Sequence, residues 1–256
     1  MATNGDPARA TSFGSIALDY DRYRPGPPDE AVRWLLGGHR GVAVEIGAGT
    51  GALTRALVGE VDRVVAVEPD LRMGQVLAAN LPGVPVMVGR AEALALTDRS
   101  ADALVGSSMW HWVDQTRAVP EAARVLRPGG VLGLLWSGPD RSQGWLAELL
   151  AGPGLDQAAL AALAARRAHR HEVVLPPDAP FGAPETRTVR WQLTVTTDQL
   201  VGLAGTYSRV LVLPEPERTR FRDDVADFIA GHPAIAGRDE IDLPMRCHCW
   251  RAVRTG

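Results

Sequence analysis

The chain has 256 residues, 46% of them hydrophobic, and its 27 basic and 30 acidic side chains leave a formal net charge of −3. This apolar content can fill a large α/β core, and the scattered basic residues form no cationic patch that would indicate a nucleic-acid partner. Because no stretch approaches the roughly 18 uninterrupted apolar residues of a membrane span and no signal-peptide pattern opens the chain, we expect a cytoplasmic protein with no membrane partner.

About forty residues precede the first predicted strand, and they include the sequence YDRYRPGPP at residues 20–28. A dinucleotide-binding domain commonly opens at its first strand. We therefore interpret residues 1–40 as an N-terminal lid.

Short apolar runs alternate with stretches of helical periodicity between residues 42 and 136. Runs that are apolar on both faces and joined by helices predict a parallel sheet covered on both sides. The core at about residues 41–138 is therefore predicted to be a doubly wound α/β sheet. The runs are VAVEI (42–46), VVAVEP (64–69), VPVMVG (84–89), ADALVGSS (101–108) and GVLGLLW (130–136).

The pattern changes after Trp136. Residues 139–185 carry helical stretches and a proline-rich connection, and we interpret them as an inserted helical cap. Two alternating runs, TRTVRWQLTV (186–195) and IDLPMRCHCWRAV (241–253), would extend the edge of the sheet. Residues 186–256 would then close a single domain that spans residues 1–256.

Two cysteines, Cys247 and Cys249, lie in the last of these runs. Strand side chains two positions apart run parallel, which makes this pair a poor disulfide candidate. His248 would face the opposite side of the strand, so we expect reduced thiols and no metal site.

The sequence VEIGAGTG at residues 44–51 ends the first predicted strand in a glycine turn. Gly47, Gly49 and Gly51 would let the backbone approach a ligand closely at the carboxyl end of that strand. The turn also fits the dinucleotide pattern G-x-G-x-x-A, and Glu68 stands where a ribose-binding acid of such a site belongs. The glycines alone therefore leave the cofactor open.

Three features favour a ligand other than a dinucleotide. A carboxylate at Glu45 would repel a pyrophosphate, but it suits a ligand that carries an ammonium and a sulfonium group. The long leader is the second feature. The third is the sequence VLRPGG at residues 125–130, which would end a helix sharply before the fifth strand.

Five sequence motifs occur in order over residues 42–136: VEIGAGTG, VEPD, GRAEAL, ADALVGSSMWHWVD and LRPGGVL. This series resembles the motifs of class I S-adenosylmethionine-dependent methyltransferases. The resemblance implies a mostly parallel, seven-stranded Rossmann-like sheet closed by an antiparallel pair, with S-adenosyl-L-methionine as the cofactor. The sequences YDRYRP and WHWVD resemble the small-molecule branch that includes trans-aconitate methyltransferase.

The resemblance implies cofactor contacts at the ends of the first two strands. Glu45 would hold the methionine ammonium directly or through water, and its alternative role is a carboxylate at a helix N-terminus. Glu68, followed by Pro69, would accept hydrogen bonds from the ribose hydroxyls. The backbone of the three glycines would lie against the cofactor.

Adenine recognition departs from the family pattern. In GRAEAL the family often has an acid after the glycine to meet the adenine amino group, whereas this chain has Arg90. Ala91, through its backbone, and Glu92 are then the candidates. Ser107, at the end of the fourth strand, would lie at the methyl-transfer centre or serve as a strand-end cap.

The leader and the end of the fourth strand would cover the methionine end. Tyr20, Tyr23 and Arg24 would fold over it, with a hydroxyl or the guanidinium meeting the carboxylate. A surface helix ended by a proline is the alternative.

Past the fourth strand, Trp110 and Trp112 flank His111, where aromatic faces can bind a substrate. His111 could also contact substrate and act as a general base, because its unperturbed pKa is about 6.5. Packing between the tryptophans is the alternative for His111.

The expected function is S-adenosylmethionine-dependent methyl transfer to a small molecule, at a hydroxyl or carboxylate oxygen, in bacterial secondary metabolism. All 27 basic residues are arginine, which favours a GC-rich bacterial source. The alternatives are an NAD(P)-dependent oxidoreductase and a methyltransferase-fold protein that uses its pocket for non-methylating chemistry or regulation. The sequence indicates neither the acceptor nor the oligomeric state.

Overall fold

The structure is a computed structural model that describes residues 16–152, 171–211 and 213–256. Its strands are β1 (Val42–Ile46), β2 (Arg63–Glu68), β3 (Val86–Val88), β4 (Ala101–Ser107), β5 (Leu126–Pro139), β6 (Glu185–Thr196) and β7 (Glu240–Val253). Within the described residues they form one seven-stranded sheet in the order β3-β2-β1-β4-β5-β7-β6. Strand β7 runs antiparallel to β5 and β6, and the other neighbouring pairs are parallel.

The chain order of the strands reverses at β1. Ile46 at the end of β1 lies opposite Val67 of β2 on one side and Gly106 of β4 on the other. The connections on the two sides of such a switch point leave in opposite directions, so a crevice opens beyond the carboxyl ends of β1 and β4. A ligand is expected in this crevice.

Helices cover both faces of the sheet, and side-chain caps mark where several of them begin. Asp70 and Asp114 each accept a hydrogen bond from a backbone N–H two residues later, and Thr196 and Gln199 form a capping box. The helices are α1 (Ala17–Tyr23), α2 (Asp29–Leu36), α3 (Ala52–Leu57), α4 (Leu71–Asn80), α5 (Gln115–Val125), α6 (Gly144–Ala151), α7 (Thr197–Gly205), α8 (Ser208–Leu211) and α9 (Glu215–Gly231), with a 3-10 turn at Trp110–Trp112.

Buried apolar side chains form a cluster on each face of the sheet and a third one near its β6 edge. The first cluster includes Trp110 and Trp136. The second packs α2 on the sheet and contains both cysteines, Cys247 and Cys249, whose Sγ atoms lie 3.6 Å apart. The third joins α6, α7 and α9 to the ends of β6 and β7. The C-terminal helices therefore share a core of their own beside the sheet.

The fold predicted from the sequence is confirmed, and the start of β5 is the strand boundary that differs most from the prediction. Strand β5 begins at Leu126, whereas the sequence predicted a helix end and turn over residues 125–130 and a strand from residue 130. Leu126 pairs with Ala101, and the register of this pairing then shifts before Ala103. Gly129 has a φ of 81°, which lets the chain absorb this irregularity without leaving the sheet.

The predicted lid and the predicted cap fall partly outside the described residues. The parts outside are residues 1–15 of the lid and residues 153–170 of the cap. The described part of the cap contributes α6 to the third cluster. The lid, the cap and the single-domain organisation stay predictions.

No helix in the described part of the chain is long and apolar enough to cross a membrane. The same residues contain no group of three or more His, Cys, Asp or Glu side chains placed to hold a metal ion.

Candidate cofactor pocket and active site

A pocket opens at the carboxyl ends of β1, β2 and β4, beside the switch point of the sheet. Residues from α1, the glycine turn, the end of β2 and the segments after β3 and β4 line it. Nine of the predicted site residues lie on its wall: Tyr20, Gly47, Gly49, Glu68, Pro69, Ala91, Glu92, Ser107 and Trp112. The fold therefore brings together residues that are separated by more than eighty positions in the sequence.

The glycine turn requires glycine for two different reasons. Gly47 and Gly49 have φ values of 62° and 58°, a conformation that other residues rarely adopt. A Cβ atom on Gly47 would also lie 2.9 Å from the Cβ of Met109. Gly51 lies at the start of α3, where a Cβ atom would lie 3.0 Å from Leu77 of α4. Gly51 also has a positive φ, of 95°. It allows helix packing and, unlike the other two glycines, is not on the pocket wall.

Glu68 fixes the turn to the end of β2. One carboxylate oxygen accepts a hydrogen bond from the backbone N–H of Gly49 at 2.7 Å, and the other accepts from the N–H of Asp70 at 2.9 Å. Burial raises the pKa of Glu68, and these two backbone hydrogen bonds oppose that rise. The carboxylate is held at the pocket wall in a fixed orientation, where it can accept hydrogen bonds from a diol.

Glu45 lies behind the turn and does not line the pocket. Its side chain is 1% exposed, and Thr54 of α3 donates a hydrogen bond to its carboxyl group at 2.5 Å. Burial raises its pKa from the ordinary value of 4.5 to about 8, against the effect of the Thr54 hydrogen bond and with a further rise from the charge of Glu68. The group therefore carries a proton at neutral pH, and a nearby cation would favour its ionised form.

Glu92, one of the two residues predicted to meet the adenine, pairs with Arg90. The Arg90 guanidinium donates to Glu92 at 3.3 Å, and the same Glu92 oxygen accepts from the backbone N–H of Asp114 at 3.0 Å. Glu92 therefore holds the start of α5. Ala91 is buried and lies on the pocket wall between these two charged residues in the sequence.

The segment after β4 differs in part from the prediction. Trp112 lines the pocket, but Trp110 is 1% exposed and lies in the first core cluster. The 3-10 turn points successive side chains in different directions, so the prediction that both tryptophans face the substrate is wrong for Trp110. His111 is not on the pocket wall, and its ring centroid lies 4.7 Å from that of Trp112.

The leader reaches the pocket through Tyr20 alone among its three predicted residues. Tyr23 packs on α7, where a Cβ atom on Gly202 would lie 2.5 Å from the Tyr23 ring. Arg24 donates two hydrogen bonds to Thr206, and its guanidinium carbon lies 5.3 Å from the centre of the Tyr20 ring. The leader is therefore docked against the C-terminal helices.

The sequence reasoning missed several wall residues after β2, β3 and β4. Gly89 and Arg90 open the GRAEAL motif, and that motif is the sequence signal for both positions. Ser108 has a φ of 55°, which the sequence does not reveal. The full set of unpredicted wall residues is Met73, Gly89, Arg90, Ser108, Met109 and Val113.

Comparison with known proteins identifies the family. The family model described as a methyltransferase domain matches residues 44–134. An uncharacterized methyltransferase of Mycobacterium tuberculosis (strain ATCC 25618 / H37Rv) is 40% identical over 242 residues, which cover 94% of this chain and 95% of the relative. The chain belongs to the class I S-adenosylmethionine-dependent methyltransferases.

Two further relatives of this methyltransferase extend the comparison. A solved structure from Anaeromyxobacter dehalogenans, assigned as a type II methyltransferase, has a TM-score of 0.62 and 27% identity, and the match covers 91% of this chain and 98% of that one. The malonyl-[acyl-carrier protein] O-methyltransferase of Methylococcus capsulatus is 35% identical over 133 residues, which are 47% of this chain and 48% of the relative.

The cofactor of the methyltransferase is S-adenosylmethionine, and the pocket has the chemistry to receive it. The buried carboxyl groups of Glu45 and Glu68 stand at the glycine turn, and the charge of Glu68 already raises the pKa of Glu45. A ligand with positive charge relieves this unfavourable proximity, whereas a pyrophosphate would add to it. The alternative of a dinucleotide cofactor is therefore set aside.

The buried Glu45 predicts how stability depends on pH. Between pH 4.5 and about 8 the native methyltransferase holds the Glu45 proton that the unfolded chain releases, so the free energy of unfolding falls as the pH rises through this window. The Glu45→Gln variant has no ionisable group at this position, so its free energy of unfolding does not fall for this reason. At pH 9 its free energy of unfolding should exceed that of the wild type by roughly 3–5 kcal/mol, with a much smaller difference at pH 5.

Urea unfolding of the cofactor-free protein at pH 5, 7 and 9 measures this difference. Glu217→Gln on the exposed face of α9 is the matched control, because it removes a carboxyl group that is open to solvent. A difference between Glu45→Gln and wild type that is the same at all three pH values would contradict the raised pKa.

Proposed function

We propose that this methyltransferase acts in the bacterial cytoplasm on a small molecule of secondary metabolism and transfers the methyl group to a hydroxyl or carboxylate oxygen. The observation that carries the proposal is the lining of the pocket. Ser107 and Trp112 line it together with Glu68. A carboxylate that can accept hydrogen bonds from a diol and an aromatic ring on one wall suit a cofactor and a small acceptor.

Two resemblances support the finer parts of this proposal. The Methylococcus capsulatus relative is named as an O-methyltransferase, which favours oxygen as the acceptor atom. The sequences YDRYRP and WHWVD resemble the small-molecule branch that includes trans-aconitate methyltransferase, which favours a small acceptor.

The cofactor would lie along the carboxyl ends of β1 and β2. Glu68, with Pro69 beside it, would accept the ribose hydroxyls, and the backbone of Gly47 and Gly49 would lie against the methionine portion. Since Glu45 lies behind the turn, it would meet the ammonium through a water molecule. The backbone of Ala91 would meet the adenine edge.

The methyl-transfer reaction requires the protein mainly to position the acceptor and the cofactor. The sulfonium of the cofactor supplies an electrophilic methyl group, so the pocket has to align the acceptor oxygen with the carbon–sulfur bond and exclude water. Holding reactants in such an orientation is worth roughly 7–11 kcal/mol. Ser107 at the end of β4 and Tyr20 of the lid are the wall residues proposed to define this alignment.

Binding of S-adenosylhomocysteine tests the cofactor placement. Glu68→Gln should weaken its binding by about ten- to a hundredfold, because a charged acceptor of two ribose hydrogen bonds is lost. Isothermal titration calorimetry measures the affinity, with melting temperature as a check on folding and Glu217→Gln as the control.

NADH is titrated in parallel to test the alternative cofactor. Micromolar binding of NADH without detectable binding of S-adenosylhomocysteine would contradict the proposal. Binding of S-adenosylhomocysteine without consumption of S-adenosylmethionine by any small acceptor would favour a non-methylating use of the pocket.

We propose His111 as the general base, with the neighbouring Trp112 ring on the pocket wall. His111→Ala should lower kcat by about a hundredfold for a hydroxyl acceptor, the usual scale of general-base catalysis, and leave the affinity for the cofactor unchanged. Steady-state kinetics with the identified acceptor measures kcat, and calorimetry measures the affinity. Unchanged turnover would remove His111 from the chemistry and leave placement as the source of the rate.

A further inference from the structure

A buried hydroxyl lies behind the glycine turn, beside the acid near the end of β1. Thr54 of α3 is 0% exposed, and its Oγ1 donates a hydrogen bond to Oε2 of Glu45 at 2.5 Å. The strand residues opposite Glu45 are Ala66 of β2 and Val105 of β4. The hydrogen bond between Glu45 and Thr54 is therefore a polar contact between the sheet and α3, with apolar residues beside it.

Packing alone would favour apolar side chains at both positions. Leu53 and Leu57 of α3 are buried and belong to the second core cluster. A buried carboxyl group lowers stability when it ionises, and a buried hydroxyl depends on a partner. An apolar pair would thus hold α3 on β1 without these costs. Polar groups that a core does not need are typical of functional positions.

The Thr54 hydroxyl favours the ionised form of Glu45. A hydroxyl has one hydrogen to donate, and a hydrogen bond to a charged acceptor is stronger than one to a neutral acceptor. Burial raises the pKa of Glu45 to about 8, the Thr54 hydrogen bond opposes that rise, and the charge of Glu68 on β2 adds to it. The charge of Asp70 acts in turn on Glu68. Thr54 is therefore the group in this set that assists ionisation.

The same hydrogen bond orients the Glu45 side chain. Threonine is β-branched and stiff at χ1, so the direction of its hydroxyl is restricted by the helix. The backbone of Thr54 is held as well, because its carbonyl accepts a hydrogen bond from the N–H of Val58 at 3.0 Å. Thr54 engages one carboxyl oxygen of Glu45, and the other oxygen would meet the water that bridges to the ammonium group.

We propose that Thr54 is a positioning residue for the cofactor, because its hydroxyl orients the Glu45 carboxyl group and assists its ionisation when the ammonium group of the cofactor binds. Thr54 acts through Glu45 and is not on the pocket wall. This inference rests on the proposed placement of the cofactor, in which Glu45 meets the ammonium group.

The proposal predicts a loss of affinity that depends on pH. If the cofactor binds the ionised form of Glu45, affinity is reduced by the fraction of protein that still holds the proton. Thr54→Val removes the donor and keeps the branched shape, so the pKa of Glu45 rises further. At pH 6 its affinity for S-adenosylhomocysteine should be about tenfold weaker than that of wild type, and at pH 9 only about twofold weaker.

Isothermal titration calorimetry of the full-length methyltransferase at pH 6 and pH 9 measures these affinities. Wild type and variant meet the same ligand at each pH, so their ratio isolates the protein. Methylthioadenosine, which lacks the amino-acid portion, is the second probe. Its affinity should be the same in wild type and Thr54→Val, because it has no ammonium group for Glu45 to meet.

Three further variants separate the hydroxyl from packing. Thr54→Ser keeps the donor and should restore the affinity at pH 6 to within about threefold of wild type. Thr54→Val added to Glu45→Gln should change the affinity by less than about twofold, because the acid through which Thr54 acts is gone. Thr194→Val is the matched control, since it removes a threonine-to-carboxylate hydrogen bond at an exposed site on β6.

The melting temperature reports folding, and Thr54→Ala replaces Thr54→Val if the valine variant does not fold. Failure of wild type to bind S-adenosylhomocysteine would overturn the proposed function. Normal wild-type binding with an unchanged affinity in Thr54→Val, with a loss that is equal at pH 6 and pH 9, or with an equal loss for methylthioadenosine would overturn the role of Thr54 alone. A loss in Thr54→Ser as large as that in Thr54→Val would do the same.

Discussion

The carboxylate of Glu68 joins the glycine turn to the end of β2, and the geometry of the cofactor pocket depends on that connection. Gly49 can present its N–H to Glu68 because its φ of 58° turns the backbone toward β2. Glu45 stands behind the same turn, bonded to Thr54. The burial of Glu45 and the charge of Glu68 keep a proton on Glu45 at neutral pH, and a positively charged ligand would favour the ionised form of both acids. The family's cofactor carries such charge in its sulfonium and ammonium groups.

The position of the leader depends on a different part of the chain. The leader is docked by α7, because Gly202 leaves space for the Tyr23 ring and Thr206 holds Arg24. These helices lie between β6 and β7 and pack in the third cluster. The sheet thus positions the cofactor turn, while the C-terminal helices hold the leader and its Tyr20 at the pocket.

Local sequence patterns were sufficient for the sheet and the glycine turn. Continuous apolar runs predict buried parallel strands, and the alternate glycines predict a turn at which the backbone can approach a ligand, as found at Gly47 and Gly49 on the pocket wall. The seven-stranded sheet with its closing antiparallel pair came from the family resemblance, because no local pattern specifies which strands become neighbours. The start of β5 was missed because proline and glycine usually end a helix, whereas here the sheet absorbs them.

The side-chain directions in the site were less predictable. Trp110 turns into the core and Trp112 to the pocket, since one 3-10 turn separates their directions. Arg24 meets Thr206 across 182 positions in the sequence, a contact that only the folded chain defines. Glu45 was expected to face the ligand, but its strand position buries it beneath the turn.

Proton release on cofactor binding tests most directly the claim that a positively charged cofactor favours the ionised form of Glu45. Calorimetric titration with S-adenosylmethionine at pH 7, in buffers of different ionisation enthalpy, counts the protons released. Because the pKa of Glu45 is about 8 in the cofactor-free protein, the wild type should release more than half a proton per bound cofactor and Glu45→Gln far less. Cofactor binding with no proton release in the wild type would contradict the account.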